Sequence, residues 1–322
     1  MYNCMRERTN IFFITNLKAV AIMSVVLFHC LCPYTPAWNC LEEFCVGWVI
    51  VLARFINALT MPLFFILAGY LFFNGKMNGK YSEINKFLFN KFNRLVVPLF
   101  FWSMLVCLLL KRNYLSFFYN SPSHLWFLGT LFLMFCVFFG TCFEKTSKKW
   151  DYTIEVVLFL VSCVSLKLPV FLGSFIRAMM DYAYIFFFGI ILAKNCFLLK
   201  NNNILLVISL FFLFLSCFFY DLGHMNVFLK FFRLTTVVSI FAFASNLFNK
   251  EITLFKKIEN QGMGIYIIHH ILLQFMLTIP LFSELFYKSI VGGVVVTWFV
   301  LFVVSFYCSW LIRKTPFYRV LG

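Results

Sequence analysis

Apolar residues along this chain come in long unbroken runs, separated by short polar stretches. Ten runs stand out, at 11–31, 46–73, 95–110, 125–143, 154–172, 182–199, 203–220, 234–248, 265–282 and 289–312. A helix needs about 20 apolar residues to cross the hydrocarbon core of a bilayer. Barrel strands would instead alternate about every second residue. The expected fold class is therefore all-α integral membrane, a bundle of about ten transmembrane helices. The runs differ in quality. The fifth carries Lys167 and Pro169 near its end, the eighth is short, and those at 46–73 and 289–312 are long enough to tilt. The longest polar stretch, 74–94, cannot hold a soluble domain, so residues 1–322 are expected to form a single transmembrane domain without linker or low-complexity tail.

Composition supports the pattern. Of 322 residues, 63% are hydrophobic and only 12% charged, and mean hydropathy is +0.91. Soluble domains run nearer about 45–50% apolar and about 25% charged. The net charge of +15 would suggest nucleic acid in a soluble protein. Here it sorts by membrane side, and no nucleic-acid partner is expected. With the N-terminus inside, 18 of the 27 basic residues fall in inside segments and 7, among them Lys111, Arg112 and Lys167, in outside ones. That bias predicts both termini in the cytoplasm. The first run is followed by no small-residue cleavage site and is expected to be a retained helix. The 12 cysteines lie mostly in apolar runs, where free Cys acts as a small hydrophobe. Cys30, Cys32, Cys40 and Cys45 cluster near the first hairpin loop; their spacing fits no common zinc pattern and leaves a disulfide open. The 48 phenylalanines suit lipid-facing surfaces.

Candidate chemistry sits inside the runs. From Asn16 to His29 the chain reads N-L-K-A-V-A-I-M-S-V-V-L-F-H. An ionisable group in hydrocarbon costs from about 2.5 kcal/mol upward, so two in one helix point to a use. Eleven residues turn an α-helix about 20° past three full turns and advance it by about 16 Å. Lys18 and His29 are thus expected on one face, a cation near one membrane surface and an imidazole near mid-bilayer. Lys18 is also placed where a lysine stem could snorkel. Arg54 lies in the outer third of the second run, where snorkelling is again an alternative. Lys91 and Arg94 open the third run, as positive-inside anchors or as a patch for phosphates, which arginine grips bidentately. His124 and Trp126 open the fourth at the outer interface, where Trp commonly anchors a membrane belt and His124 could be an exposed loop residue. His269 and His270 fall in the ninth; neighbours on a helix point about 100° apart, so one of them is expected to face the interior. His224 is expected in a loop. No three-His or His–Glu set occurs at helical spacing, so no metal is expected, and there is no Gly-rich phosphate loop and no G-x-S-x-G elbow.

Five segments, in order, resemble the integral-membrane acyltransferase-three family. They are N-L-K-x10-H in the first run, M-P-L-F-F-I-L-A-G-Y-L (Met61 to Leu71), N-R-L-V-V-P-L-F-F-W (Asn93 to Trp102), H-L-W-F-L (His124 to Leu128) and G-I-Y-I-I-H (Gly264 to His269). The resemblance covers nearly the whole chain. The lysine and the H-L-W-F-L segment resemble the fucose 4-O-acetylase-like branch. Departures are visible: Asn16 stands where Asp is frequent, Ala68 where Ser precedes Gly-Tyr, and no acid lies between His124 and Phe143, where many members carry a glutamate. His124 is a candidate for part of that glutamate's role.

The resemblance implies a membrane O-acyltransferase, most simply an O-acetyltransferase. His29 and Lys18 are the expected catalytic residues, with Arg54, Arg94, Lys91, His124, Trp126 and His269 binding substrate or donor. His29 would act as general base on an acceptor hydroxyl, or form an acyl-histidine directly. No tightly bound cofactor is expected; acetyl-CoA or another acyl-CoA is the donor substrate. The expected acceptor is a sugar hydroxyl of a surface polysaccharide or lipid-linked glycan, in a multi-pass protein of a bacterial inner membrane surrounded by lipid. The competing reading is a transporter or flippase for an anionic or lipid-linked substrate, but the two halves show no convincing repeat. A third is a membrane sensor without catalysis.

Overall fold

The computed structural model describes residues 11–36, 46–81, 83–109, 123–141, 145–165, 173–195, 203–222 and 226–322, and every regular element among them is helical. The helices longer than two turns are α1 (Ile11–Leu31), α2 (Gly47–Met77), α3 (Ile84–Leu109), α4 (Trp126–Phe139), α5 (Lys148–Ser165), α6 (Gly173–Lys194), α7 (Asn203–Phe218), α8 (Asn226–Leu247), α9 (Thr253–Met276), α10 (Pro280–Lys288) and α11 (Ile290–Arg313). Six are long and apolar enough to cross a membrane: α1 with its following turn, α2, α3, α6, α8 and α11. Helices α4 and α7 are apolar but shorter, at 14 and 16 residues. Helices α5 and α9 reach the length but begin in charged and amide side chains. Cys40, Cys45, Lys111, Arg112, Lys167, Pro169 and His224 lie outside the described residues. Cys30 and Cys32 are free thiols.

Helix α3 starts eleven residues before its apolar run and contains a widened π turn at Phe92–Val96. Pro98 explains it. A proline nitrogen cannot donate to the carbonyl four residues back, here Arg94, and its ring crowds that carbonyl. One widened turn absorbs the mismatch without ending the helix.

The chain divides into two compact units, residues 1–64 with 199–312, and residues 65–198 with 313–322. The first boundary falls inside α2, between Phe64 and Phe65. In the first unit, Ala19, Ile22, Val26 and Cys30 of α1 join Ile258, Ile265 and Leu273 of α9 and Val294 and Leu301 of α11 in one buried cluster. Gly262 of α9 faces Ile22 so closely that a Cβ there would overlap its side chain. Helix α8 meets α1 through an edge-to-face contact of Phe13 with Phe241 at 5.2 Å, and packs on α7 through stacked Phe212 and Phe232 at 5.0 Å.

In the second unit the latter part of α2 packs on α6 through glycines. A Cβ on Gly69 would overlap the carbonyl oxygen of Phe186, and one on Gly189 the carbonyl oxygen of Ile66. Backbone meets backbone, and no side chain fits between. Phe72, Phe135, Phe138 and Phe186 pack as a ring cluster beside that contact. Helices α5 and α6 are tied at one end by Lys194, whose ammonium binds the Asp151 carboxylate and the Thr146 hydroxyl, and at the other by Ser165 donating to Asp181 at 3.2 Å.

Candidate active site on the first and ninth helices

The polar contacts between α1 and α9 climb in step. Asn16 Nδ2 donates to the Lys250 carbonyl at 3.1 Å, and its Oδ1 accepts from the Ile252 amide at 3.4 Å. Lys18 Nζ meets Glu259 Oε1 at 2.9 Å. His29 Nδ1 lies 3.1 Å from His269 Nε2. Partner numbers rise together, so the two helices run parallel. From Lys18 to His29 is eleven residues and from Glu259 to His269 ten, rises of about 16 and 15 Å. Lys18 and His29 therefore share one face of α1, and that face is spent on α9.

His29 lies in the last turn of α1, before the 3-10 turn at Cys32–Tyr34 that contains Pro33. One expectation changes, that for the histidine pair. Both His269 and His270 are buried, and both rings flank His29, with centroids at 4.9 and 5.3 Å. Neighbouring residues diverge by about 100°, but a ring seated on the line of contact between two helices touches both. His29 is itself buried and its Nδ1 is 3.0 Å from the Val25 carbonyl; His269 Nδ1 is 2.8 Å from the Ile265 carbonyl. The result is a buried imidazole cluster at one end of the helix pair and a half-exposed ion pair at the other.

The remaining candidates have separate surroundings. Arg54, also in the first unit, grips Asp221 with both terminal nitrogens at 3.0 and 2.8 Å and lies over the Tyr220 ring at 4.9 Å. That bond holds the exposed Asp221 carboxyl below its ordinary range. The pair edges a cleft walled by Trp48, Phe214 and Phe218. Lys91, Arg94, His124 and Trp126 belong to the second unit. Lys91 lies over Phe135 at 4.1 Å, with Phe87 at 5.4 Å. Arg94 is exposed on the π turn, close enough to Arg313 for the two charges to repel, and close to Tyr81, whose hydroxyl burial pushes up while the Arg94 charge opposes it. His124 is buried on a 3-10 turn, contrary to an exposed loop position, because the turn tucks it beneath the start of α4. Trp126 stacks on Tyr182 at 5.6 Å, so its ring is committed to packing as well as to any membrane interface.

Sequence reasoning passed over four residues. Glu259 and Arg313 look like ordinary charges at helix ends; their significance comes from Lys18 and Arg94, far away in the chain. Asn16 registered as a departure from Asp, yet its amide does what a carboxylate cannot, donating and accepting in the same clamp. Glu155 was the one with a readable signal, an acid at the start of an apolar run. It is buried in α5, and among the described residues neither carboxyl oxygen has a hydrogen-bond partner.

Six apolar helices of membrane-crossing length among the described residues define a multi-pass membrane protein. Residues 11–314 match the acyltransferase domain of the acyltransferase-three family, and the chain belongs to that family. Comparison with curated proteins and with solved structures finds no match.

Proposed function

We propose that this membrane acyltransferase is an O-acetyltransferase that moves an acetyl group from acetyl-CoA to a sugar hydroxyl of a surface polysaccharide or lipid-linked glycan, in a bacterial inner membrane, with His29 as general base. The observation that carries the reading is the placement of His29. It is buried, it stands at the position of the family-like N-L-K-x10-H segment, and its Nδ1 edge is occupied by the Val25 carbonyl and His269. In the reaction, Nε2 of His29 takes the proton of the acceptor hydroxyl as the oxygen attacks the thioester carbonyl. The C–S bond breaks, the proton passes to the departing thiolate, and ester and free thiol leave. Lys18 neutralises Glu259 and holds α9 in register, which favours a positioning role over direct contact with phosphates.

The donor carries phosphates, and Lys91, Arg94 and Arg313 gather positive charge within the second unit. Among the described residues the buried Nε of Arg313 has no hydrogen-bond partner. Two guanidiniums brought together suit a polyanion, which arginine binds bidentately. The fucose 4-O-acetylase-like branch and cytoplasmic termini complete the reading, supported by the H-L-W-F-L segment and the charge bias of the loops.

The test uses purified protein in lipid nanodiscs with radiolabelled acetyl-CoA, following release of free thiol and label transfer to membrane glycan extracts. Wild-type protein should do both, and His29→Gln should lose about 10²- to 10⁴-fold in rate while remaining folded. A well-folded His29→Gln variant with substantial transfer would sink the general-base assignment. Mass spectrometry of surface glycans from a deletion strain, compared with the parent, then names the acceptor by the acetyl it lacks.

A further inference from the structure

His29 and His269 meet through ring nitrogens, and hydrogen-bond chemistry leaves one arrangement of protons for the neutral pair. His269 Nδ1 faces the Ile265 carbonyl at 2.8 Å. A carbonyl oxygen only accepts, so Nδ1 of His269 carries the hydrogen and its Nε2 carries the lone pair. That lone pair is 3.1 Å from His29 Nδ1, which must then be the donor. The Val25 carbonyl, 3.0 Å from the same atom, demands the same thing. Two independent acceptors thus place the His29 hydrogen on Nδ1 and its lone pair on Nε2, the nitrogen that the general-base reading requires.

The two acceptors differ in one respect. The Val25 carbonyl can receive a hydrogen bond but not a proton; the His269 imidazole can receive both. We infer that His269 is a positioning residue for His29, fixing its tautomer and taking the Nδ1 proton as charge develops on the ring. This rests on the acyl-transfer reading above and adds a second proton to it. When Nε2 of His29 takes the acceptor's proton, the Nδ1 proton moves to Nε2 of His269, whose Nδ1–H stays on Ile265. When the C–S bond breaks, Nε2 of His29 returns a proton to the thiolate, and His269 hands its extra proton back. Nothing is consumed beyond alcohol and thioester. The positive charge then rests on His269, which donates from Nδ1 to the Ile265 carbonyl and from Nε2 back to His29. The neighbouring His270 ring stands perpendicular to His29 at 5.3 Å.

The experiment has one arm that needs no turnover. In protein labelled with ¹⁵N-histidine there are five histidines to assign. Wild type should show His29 and His269 both neutral with hydrogen on Nδ1, and a nitrogen–nitrogen coupling across the His29–His269 hydrogen bond. His269→Leu should abolish the coupling. Hydrogen on Nε2 of His29, or no coupling in wild type, would overturn the inference. The kinetic arm compares substitutions of equal reach. His269→Gln accepts a hydrogen bond but takes no proton, so thiol release from acetyl-CoA should fall about 10²-fold with unchanged KM for the donor. The solvent-isotope proton inventory should change from curved in wild type, two protons moving, to linear. A His269→Gln enzyme with wild-type rate and a curved inventory would overturn the transfer to His269. If wild-type protein neither transfers nor hydrolyses acetyl-CoA, the acyl-transfer reading falls and the proton-transfer step with it, while the coupling still decides whether His269 fixes the tautomer.

Discussion

Two helix contacts, one in each unit, are built from family-like motifs and use them in opposite ways. Between α1 and α9 the motif residues are polar: Asn16, Lys18, His29 and His269 each reach across, and each has a named partner. Between α2 and α6 the motif residue is Gly69, and its contribution is the absence of a side chain, which lets α2 lie on the Phe186 carbonyl. The first contact is specified by hydrogen bonds and could tolerate some looseness in packing. The second is specified by shape and has no slack. The lesson is that motifs of equal visibility in a sequence can carry chemistry in one place and only close approach in another. The sharpest way to separate them is to measure rate and stability together.

Gly69→Ala should give the largest loss of stability. The new methyl would strike backbone, which cannot rotate away, so the cost should reach the upper end of the overpacking range, about 3 kcal/mol. Thermal unfolding in nanodiscs should show a clearly lowered Tm, and Gly189→Ala the same. His29→Gln should do the reverse, leaving Tm near wild type while rate collapses. An unchanged Tm for Gly69→Ala would erase the contrast between the two contacts.

Asn16→Asp comes next. The carboxylate keeps an acceptor for the Ile252 amide but has no hydrogen to give to the Lys250 carbonyl, and it is buried. An unsatisfied buried polar group costs about 1–3 kcal/mol. The Asp variant should therefore be less stable than wild type, and a stabilised Asp variant would show that the clamp is not the reason for Asn.

Glu259→Gln should matter less. The Lys18–Glu259 pair has side chains 30% and 26% exposed, and pairs of that kind are worth up to about 1 kcal/mol. A double-mutant cycle with Lys18→Met should return a coupling below that value. A much larger coupling would mean the pair is buried by lipid and is as structural as the glycines.

The smallest effect is expected at Arg54–Asp221. The Asp221 carboxyl is fully exposed and held below its ordinary range by Arg54. A depressed carboxylate contributes stability that is present above its unfolded pKa and lost as pH falls through the lower folded value. The contribution should therefore be flat through neutral pH, fade only in acid, and weaken with salt. Arg54→Met should remove that acid-limb dependence and little else; a large loss at neutral pH would assign Arg54 a role beyond its ion pair.

The helical fold was legible because apolar runs long enough to span a bilayer leave the backbone little choice. Helix starts were not. Helices α6 and α8 begin nine and eight residues before their apolar runs, since charged residues such as Arg177, Asp181 and Lys230 continue a helix whenever neighbours satisfy them. The far end of the ninth run breaks at Pro280, which opens α10 instead. Of the site, Lys18 and His29 were legible from spacing alone. What they touch was not, because Glu259 and His269 stand 241 and 240 residues away and look unremarkable until helix α9 is laid beside α1.

That separation has a consequence in time. The first unit is closed by a segment that follows the whole of residues 65–198 in the chain. A ribosome adding about 5–20 residues per second makes His29 roughly 12 to 50 seconds before His269. Throughout that interval α1 exists with a lysine and an imidazole along one face and neither of their eventual partners from α9. The helix must be inserted, or sheltered by the insertion machinery, while that face is unmatched. A nascent chain halted before Thr253 is accordingly a membrane protein with Lys18 and His29 of α1 unmatched, and it is the form on which quality-control proteases should act first.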